Sequence, residues 1–242
     1  QQTHPYETSW GLSTRIIGGI IMTHGDDNGL VLPPRIAPVQ VVVIPVAMHK
    51  DGVLDAADGC QKNFMLTGLR RTRVSIEKRL LDAGLRAKLD DSDNSPGWKF
   101  AEYEMKGVPL RVEIGPKDIE KEQCVVARRD TGEKVFVPLA ELESKIKELL
   151  DAVHDNMYAM ALKNREDNTF DIKSPAEAKA IAEGKGGFLR SKWCGALECE
   201  MAMKEQAGVT SRCMPLEQSG TEGVCPVCGK PCKTDIYWGV AY

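Results

Sequence analysis

The sequence lacks any apolar run long enough to cross a bilayer; the longest, 39–48, holds about ten residues, half of what a membrane helix needs. No charged-then-apolar leader opens it, so a soluble, cytoplasmic protein is expected. It also lacks an excess of either charge: 32 Lys and Arg stand against 35 Asp and Glu, a net charge of -3. The field of a general nucleic-acid binder is therefore missing, and any RNA contact has to rest on local patches. There is no repeat at a fixed period and no low-complexity segment, which excludes solenoids and disordered tails. The first residue is Gln1 rather than Met, which points to a piece of a longer polypeptide. With 242 residues there is still enough chain for one large or two medium domains with a real core.

What the sequence does contain is concentrated first in 8–34, TSWGLSTRIIGGIIMTHGDDNGLVLPP. Ser13, Thr14 and Arg15 lead into Ile16, Ile17, Gly18, Gly19, Ile20 and Ile21, so a cation and two hydroxyls are expected at the edge of a buried element. Arginine there presents a planar, permanent charge suited to phosphate or carboxylate; the plainer reading is an Arg that reaches solvent along its aliphatic stem. Pro33, Pro34 and Pro38 end this region and stiffen a domain boundary.

The β-branched run 39–46 (VQVVVIPV) predicts a parallel strand covered on both faces. A helix is expected over 56–83, carrying Arg70, Arg71, Arg73, Lys78 and Arg79 on a solvated face. Next come a strand at 85–89, a polar loop at 90–97, a short helix at 98–106, a strand at 110–114 closed by Gly115 and Pro116, and a hairpin of 124–129 with 134–138. That alternation describes a three-layer α/β domain with a mixed sheet. Apolar residues from Leu139 to Met160 recur at three- and four-residue steps, a long amphipathic helix over 139–162. A polar linker is expected at 164–171, then a helix start at Ser174-Pro175-Ala176-Glu177. The apolar end 237–242 reads as docked.

Four of the eight cysteines form close pairs, Cys194 with Cys199 and Cys225 with Cys228. That spacing suits four thiolates placed tetrahedrally on Zn(II). A redox dithiol at Cys225-Pro-Val-Cys228 is the alternative, and it leaves the first pair unexplained. Cys213 is also close in sequence, and Cys232, four residues after Cys228, competes as a ligand.

The opening stretch resembles motif 3 of class II aminoacyl-tRNA synthetases, in the version carried by prolyl-tRNA synthetases of the archaeal and eukaryote-like type. There Trp-Gly-Leu-x-x-Arg precedes HGDDxGLVLPP; here these are Trp10, Gly11, Leu12, Arg15 and 24–34. The resemblance implies that Arg15 is catalytic and contacts the terminal phosphates of ATP, where a cation stabilises charge on the leaving group, and that Ser13 lines the ATP pocket. The family's anticodon-binding domain carries PGxKFxxxELKGVPxRxExGPxD, matched by Pro96, Gly97, Lys99, Phe100 and 104–118. By that likeness Glu104, Lys117 and Lys134 read the guanines of a proline anticodon; a carboxylate accepts from guanine N1 and N2, and lysine donates to O6 or N7. The family's zinc ligands match Cys194, Cys199, Cys225 and Cys228, a closed structural site, and its C-terminal Tyr, here Tyr242, turns its carboxylate towards the catalytic domain.

The expected architecture is thus α/β throughout: a partial class II catalytic domain with motif 3 at 1–37, an α/β anticodon-binding domain with a mixed sheet at 38–145, and an α+β zinc-binding C-terminal domain at 146–242. The family's motifs 1 and 2, its proline-binding loop and its TSHH segment are not found in the chain, so activity from this piece alone is not expected. Two functions fit. In one, the chain is the C-terminal half of a ligase that joins proline to tRNA(Pro) using ATP with Mg(II) and dimerises through its other half. In the other, it is a noncatalytic tRNA-binding module with a structural zinc. A zinc-ribbon interaction protein is a third, more distant reading.

Overall fold

The run Val41-Val42-Val43-Ile44 is buried on every side chain, and the first half of the molecule is layered about it. The structure, a computed structural model, describes residues 8–47, 53 and 75–241. Its chain divides into two compact units, Gln1–Ala159 and Met160–Tyr242.

In the first unit β1 (Val41–Pro45) pairs in parallel with β2 (Ala87–Leu89) and β3 (Leu110–Ile114), and β3 then pairs antiparallel with β4 (Gln123–Arg128), which pairs with β5 (Lys134–Pro138). The order is β2-β1-β3-β4-β5, the mixed sheet expected. Because successive side chains leave opposite faces, β1 feeds two cores. Val41 and Val43 join Leu110, Val112, Val126 and Val137 beneath α2 (Ile76–Asp82) and α5 (Leu142–Asp167). Val42 and Ile44 meet Tyr103 and Val108 beneath α3 (Pro96–Met105). Ser95 caps α3 by accepting from the Trp98 amide at 3.4 Å, with Pro96 in the first turn, where a proline costs no hydrogen bond.

Three expectations need correction. First, α1 (Arg15–His24) buries none of its residues; Ile16, Ile17 and Met22 stand exposed, so Arg15 does not border a buried element here. An apolar helical stripe is buried only where a partner surface exists, and these described residues supply none. Second, 164–171 is not a linker. α5 runs on to Asp167, and β6 (Thr169–Asp171) pairs in parallel with β7 (Phe188–Trp193). The polar residues end the helix themselves: the Asn168 side chain and the Thr169 hydroxyl donate to the carbonyls of Asn164 and Arg165. Third, Gly115 and Pro116 do more than stop β3, since α4 (Pro116–Glu120) begins at once and Asp118 accepts the Gly115 amide at 2.9 Å.

The expected helix at 56–83 lies largely outside the described residues, including Arg70, Arg71 and Arg73. Of its described part, Arg79 is no free surface charge: its guanidinium grips both carboxylate oxygens of Glu143 at 2.6 and 2.8 Å and the Leu139 carbonyl at 2.6 Å.

The second unit is a four-stranded sheet in the order β6-β7-β11-β8, with β11 (Thr234–Val240) antiparallel between β7 and β8 (Val209–Cys213). α6 (Pro175–Glu183) is capped as the sequence suggests, with Ser174 accepting the Glu177 amide; the Glu177 carboxylate takes the amide of Lys173 rather than that of Ser174. Together with α7 (Leu197–Ala207), which contributes Met203, it covers Leu189, Val209, Ile236 and Trp238. Trp238 is fully buried, its indole N–H donating to the Ser191 hydroxyl at 2.9 Å, the partner a buried indole requires. The apolar tail is therefore a strand at the middle of a sheet; Tyr242 lies outside the described residues. Among the described residues no helix is long and apolar enough to cross a membrane.

Candidate functional site

On the α3 side of the first sheet, helix spacing and strand pairing bring several of the singled-out residues together. Phe100 and Glu104 lie four apart on α3, hence on one face. The helix is fixed by Lys99, which is almost wholly buried and donates to the Asp90 carbonyl at 2.9 Å, with the Asp90 carboxylate at 3.4 Å. Arg111 and Glu113 share a face of β3, and the register carries Arg111 through Ala127 to Lys134. The Arg111 guanidinium sits 4.2 Å from the Phe100 ring centre, Lys134 Nζ 5.7 Å from it, and Lys134 Nζ lies 3.1 Å from Glu113. Glu104, half-buried, lines a cavity of about 150 Å³ with Arg111, Ala127, Arg129 and Gly132, a volume that takes one benzene-sized ring. Lys117 is exposed on α4 and, among the described residues, shares no hydrogen bond or ion pair with Glu104 or Lys134. Phe100, Arg111 and Glu113 were not singled out from the sequence as site residues; the strand alternation of Leu110–Ile114 and the i, i+4 spacing to Glu104 were the signals that place them there.

The 24–34 stretch is clamped to the end of this same helix. The Leu30 and Leu32 amides donate to the carbonyls of Met105 and Gly107 at 2.9 and 3.2 Å. Gly29 has φ +131°, and a Cβ there meets Met105 main chain at 2.6 Å, so only glycine permits the approach. Arg129 closes the arrangement: it donates to both Asp26 carboxylate oxygens at 2.6 and 2.7 Å and to the Glu104 carbonyl at 2.9 Å. Upstream, Ser13 and Arg15 are exposed at the start of α1, the Ser13 hydroxyl accepting the Arg15 amide at 3.4 Å.

The hydrogen bonds from Arg129 hold the Asp26 carboxyl down at about 2. A carboxyl depressed in the folded state stabilises it fully above its ordinary value and loses that contribution as pH falls through the folded one. The clamp is therefore expected to loosen between about pH 4 and pH 2, seen as titrating amide resonances of Gly29 and Leu30. Asp26→Asn removes that titration; resonances that titrate unchanged in the variant refute the assignment.

Four of the six cysteines of the second unit, Cys194, Cys199, Cys225 and Cys228, converge, their sulfurs all within 4.8 Å of one another. Cys194 follows β7 and Cys199 lies in the first turn of α7. Cys225 and Cys228 sit in the turn between β9 (Gly223–Val224) and β10 (Pro231–Cys232), where the Cys225 amide donates to the Lys230 carbonyl and the Gly229 amide to the Cys225 carbonyl, both at 2.9 Å. Sulfur separations of 3.6 Å (Cys194 to Cys199) and 3.7 Å (Cys228 to Cys194) match the edge of about 3.8 Å for a tetrahedron with metal–sulfur bonds of about 2.3 Å. Burial pushes the Cys225 thiol up, but amide N–H groups of Cys228 and Val227 outweigh it and bring it down to about 7. Burial, with the neighbouring sulfurs, pushes Cys199 up to about 12. A first thiolate thus forms near neutrality and discourages the rest until a cation neutralises it. Cys232 is not a member of the four.

Residues 40–149 match the family described as anticodon binding domain, and residues 175–242 match that described as prolyl-tRNA synthetase, C-terminal. A proline–tRNA ligase of Clostridium novyi (strain NT) is 51% identical over 242 residues, 100% of this chain and 47% of that protein. A proline–tRNA ligase 2 of Bacillus cereus is 48% identical over 237 residues, 98% and 46% of the two chains. A proline–tRNA ligase of Clostridium botulinum (strain 657 / Type Ba4) is 49% identical over 239 residues, 99% and 46%. The chain spans about half the length of the curated relatives it matches.

Proposed function

Since the chain belongs to the prolyl-tRNA synthetase family and corresponds to its C-terminal part, we propose that it reads the anticodon of tRNA(Pro) and supplies one wall of the ATP site in a proline–tRNA ligase. The ligase condenses proline with ATP to prolyl-adenylate, releasing pyrophosphate, and passes the prolyl group to the terminal ribose of the tRNA, releasing AMP. The observation that carries the reading is the α3 face: a carboxylate, Glu104, lining a ring-sized cavity, with Arg111, Lys134 and the Phe100 ring beside it. An unstacked guanine offers donors at N1 and N2 for Glu104 and acceptors at O6 and N7 for a lysine, Lys134 or the exposed Lys117.

In this reading 1–37 is the motif 3 part of the catalytic domain, 38–145 the anticodon reader and 146–242 the C-terminal domain. Arg15 meets the terminal phosphates of ATP and Ser13 lines the pocket; Mg(II) bound with ATP supplies further charge neutralisation. Cys194, Cys199, Cys225 and Cys228 hold a structural Zn(II), since a closed four-thiolate site leaves no position for water. The ligase is a cytoplasmic homodimer.

The test is binding of a proline anticodon stem-loop to the 242-residue chain. Glu104→Gln is expected to weaken it about 10- to 100-fold, with little change for a loop whose anticodon guanines are replaced. A noncatalytic tRNA-binding module passes that test but forms no prolyl-adenylate as the full-length gene product, measured by ATP–pyrophosphate exchange. Equal affinity for both loops in the unmodified chain refutes the anticodon reading.

A further inference from the structure

Phe136 is 64% exposed on β5, the edge strand of the first sheet. Natural edges are usually guarded by charge or proline, and an aromatic ring left there in water calls for a reason. Alternation puts it on the same face as Lys134, two residues away, and opposite Val135 and Val137, which pack in the core. The pairing extends this placement across the sheet. Phe136 lies opposite Val125, and Val125 opposite Glu113; the next row is Lys134, Ala127 and Arg111. Phe136 therefore borders the face that carries Glu104, Arg111 and Lys134. The other aromatic of that face, Phe100, already holds Arg111 and Lys134 over its ring, whereas no cation contact to the Phe136 ring occurs among the described residues.

We infer that Phe136 is a stacking platform for one unstacked base of the anticodon loop, a neighbour of the base taken at Glu104. This rests on the α3 face being the anticodon reader. Bases splayed from a loop bind by stacking on aromatic side chains, while Lys134 on the same strand takes a polar edge or a phosphate. The committed occupant is RNA rather than a second copy of the chain, because the adjacent row of the same face carries Lys134 and Arg111.

The experiment measures stem-loop affinity of the 242-residue chain by fluorescence anisotropy. Phe136→Ala and Phe136→Leu are each expected to weaken binding about tenfold, and Phe136→Trp to restore it. An abasic scan of the loop identifies one position whose loss costs the unmodified chain the same factor and costs Phe136→Ala nothing more. Because the side chain is exposed, these variants leave the fold intact, checked by circular dichroism. The inference is overturned if Phe136→Ala binds within twofold of the parent while Glu104→Gln is weakened, if Leu serves as well as Trp, or if Phe136→Ala instead abolishes a dimer seen by sedimentation. If the parent chain does not distinguish the proline loop from one lacking its guanines, the reading of the face fails first and the inference falls with it.

Discussion

Chelating the zinc proposed at the four cysteines, or replacing Cys225 with serine, is expected to abolish cooperative unfolding of residues 160–242 while the five-stranded sheet of the first unit stays folded. The second unit has a small core, built chiefly on Leu189, Met203, Val209, Ile236 and Trp238. A core that small leaves little margin, and a four-thiolate zinc would contribute its binding free energy directly to folding, about 10–16 kcal/mol in isolated fingers against a typical domain stability of about 5–15 kcal/mol. The cluster joins the end of β7 and the start of α7 to the β9–β10 turn, so its loss frees two segments at once. Hydrogen exchange reads the outcome: the β11 amides lose protection and those of β1 and β3 keep it. Cys213→Ser, an exposed residue, changes nothing, and Cys232→Ser leaves metal stoichiometry at one. A chelated chain whose Ile236 and Trp238 amides remain protected shows the cluster to be dispensable.

In the full-length ligase proposed above, Arg15→Ala is expected to lower ATP–pyrophosphate exchange by about 10²- to 10³-fold, the cost of removing one charge-stabilising donor from a transition state. The side chain is exposed and forms no ion pair among the described residues, so the substitution disturbs no packing in this chain. Stem-loop affinity should be unchanged, which separates a phosphate role from a general loss of structure. Exchange at the parental rate removes Arg15 from the mechanism.

Where each side chain's surroundings lie close by in sequence, the sequence was sufficient. The valine run at 41–45 reads as a strand buried on two faces, and Ser174 marks a helix start because a cap acts three residues away, whereas the helix expected from 98 begins at Pro96 with Ser95 as its cap. The close spacing within each cysteine pair announced a cluster, although the two pairs meet across 34 positions. What escaped depends on partners distant in the chain. The apolar stripe of α1 reads as buried from periodicity alone, yet burial needs an opposing surface. The 164–171 segment reads as polar, yet β6 is held by hydrogen bonds to β7, which ask nothing of side-chain hydrophobicity. Arg129 gave no sign that it would join Asp26 to the Glu104 carbonyl, a link across 103 positions.

The place of β11 between β7 and β8 also governs the order of events during synthesis. Of the four strands in that sheet it leaves the ribosome last, at a pace of about 5–20 residues per second. Until it emerges, β7 and β8 share no partner and each shows an unpaired edge; Trp238, which completes the core, is still missing. Cys194 and Cys199 are available before Cys225 and Cys228, so a metal can be held by the first pair and closed over by the second. The sheet's vectorial assembly thus runs from its outside inward, and the nascent unit stays open to aggregation until its last strand is made.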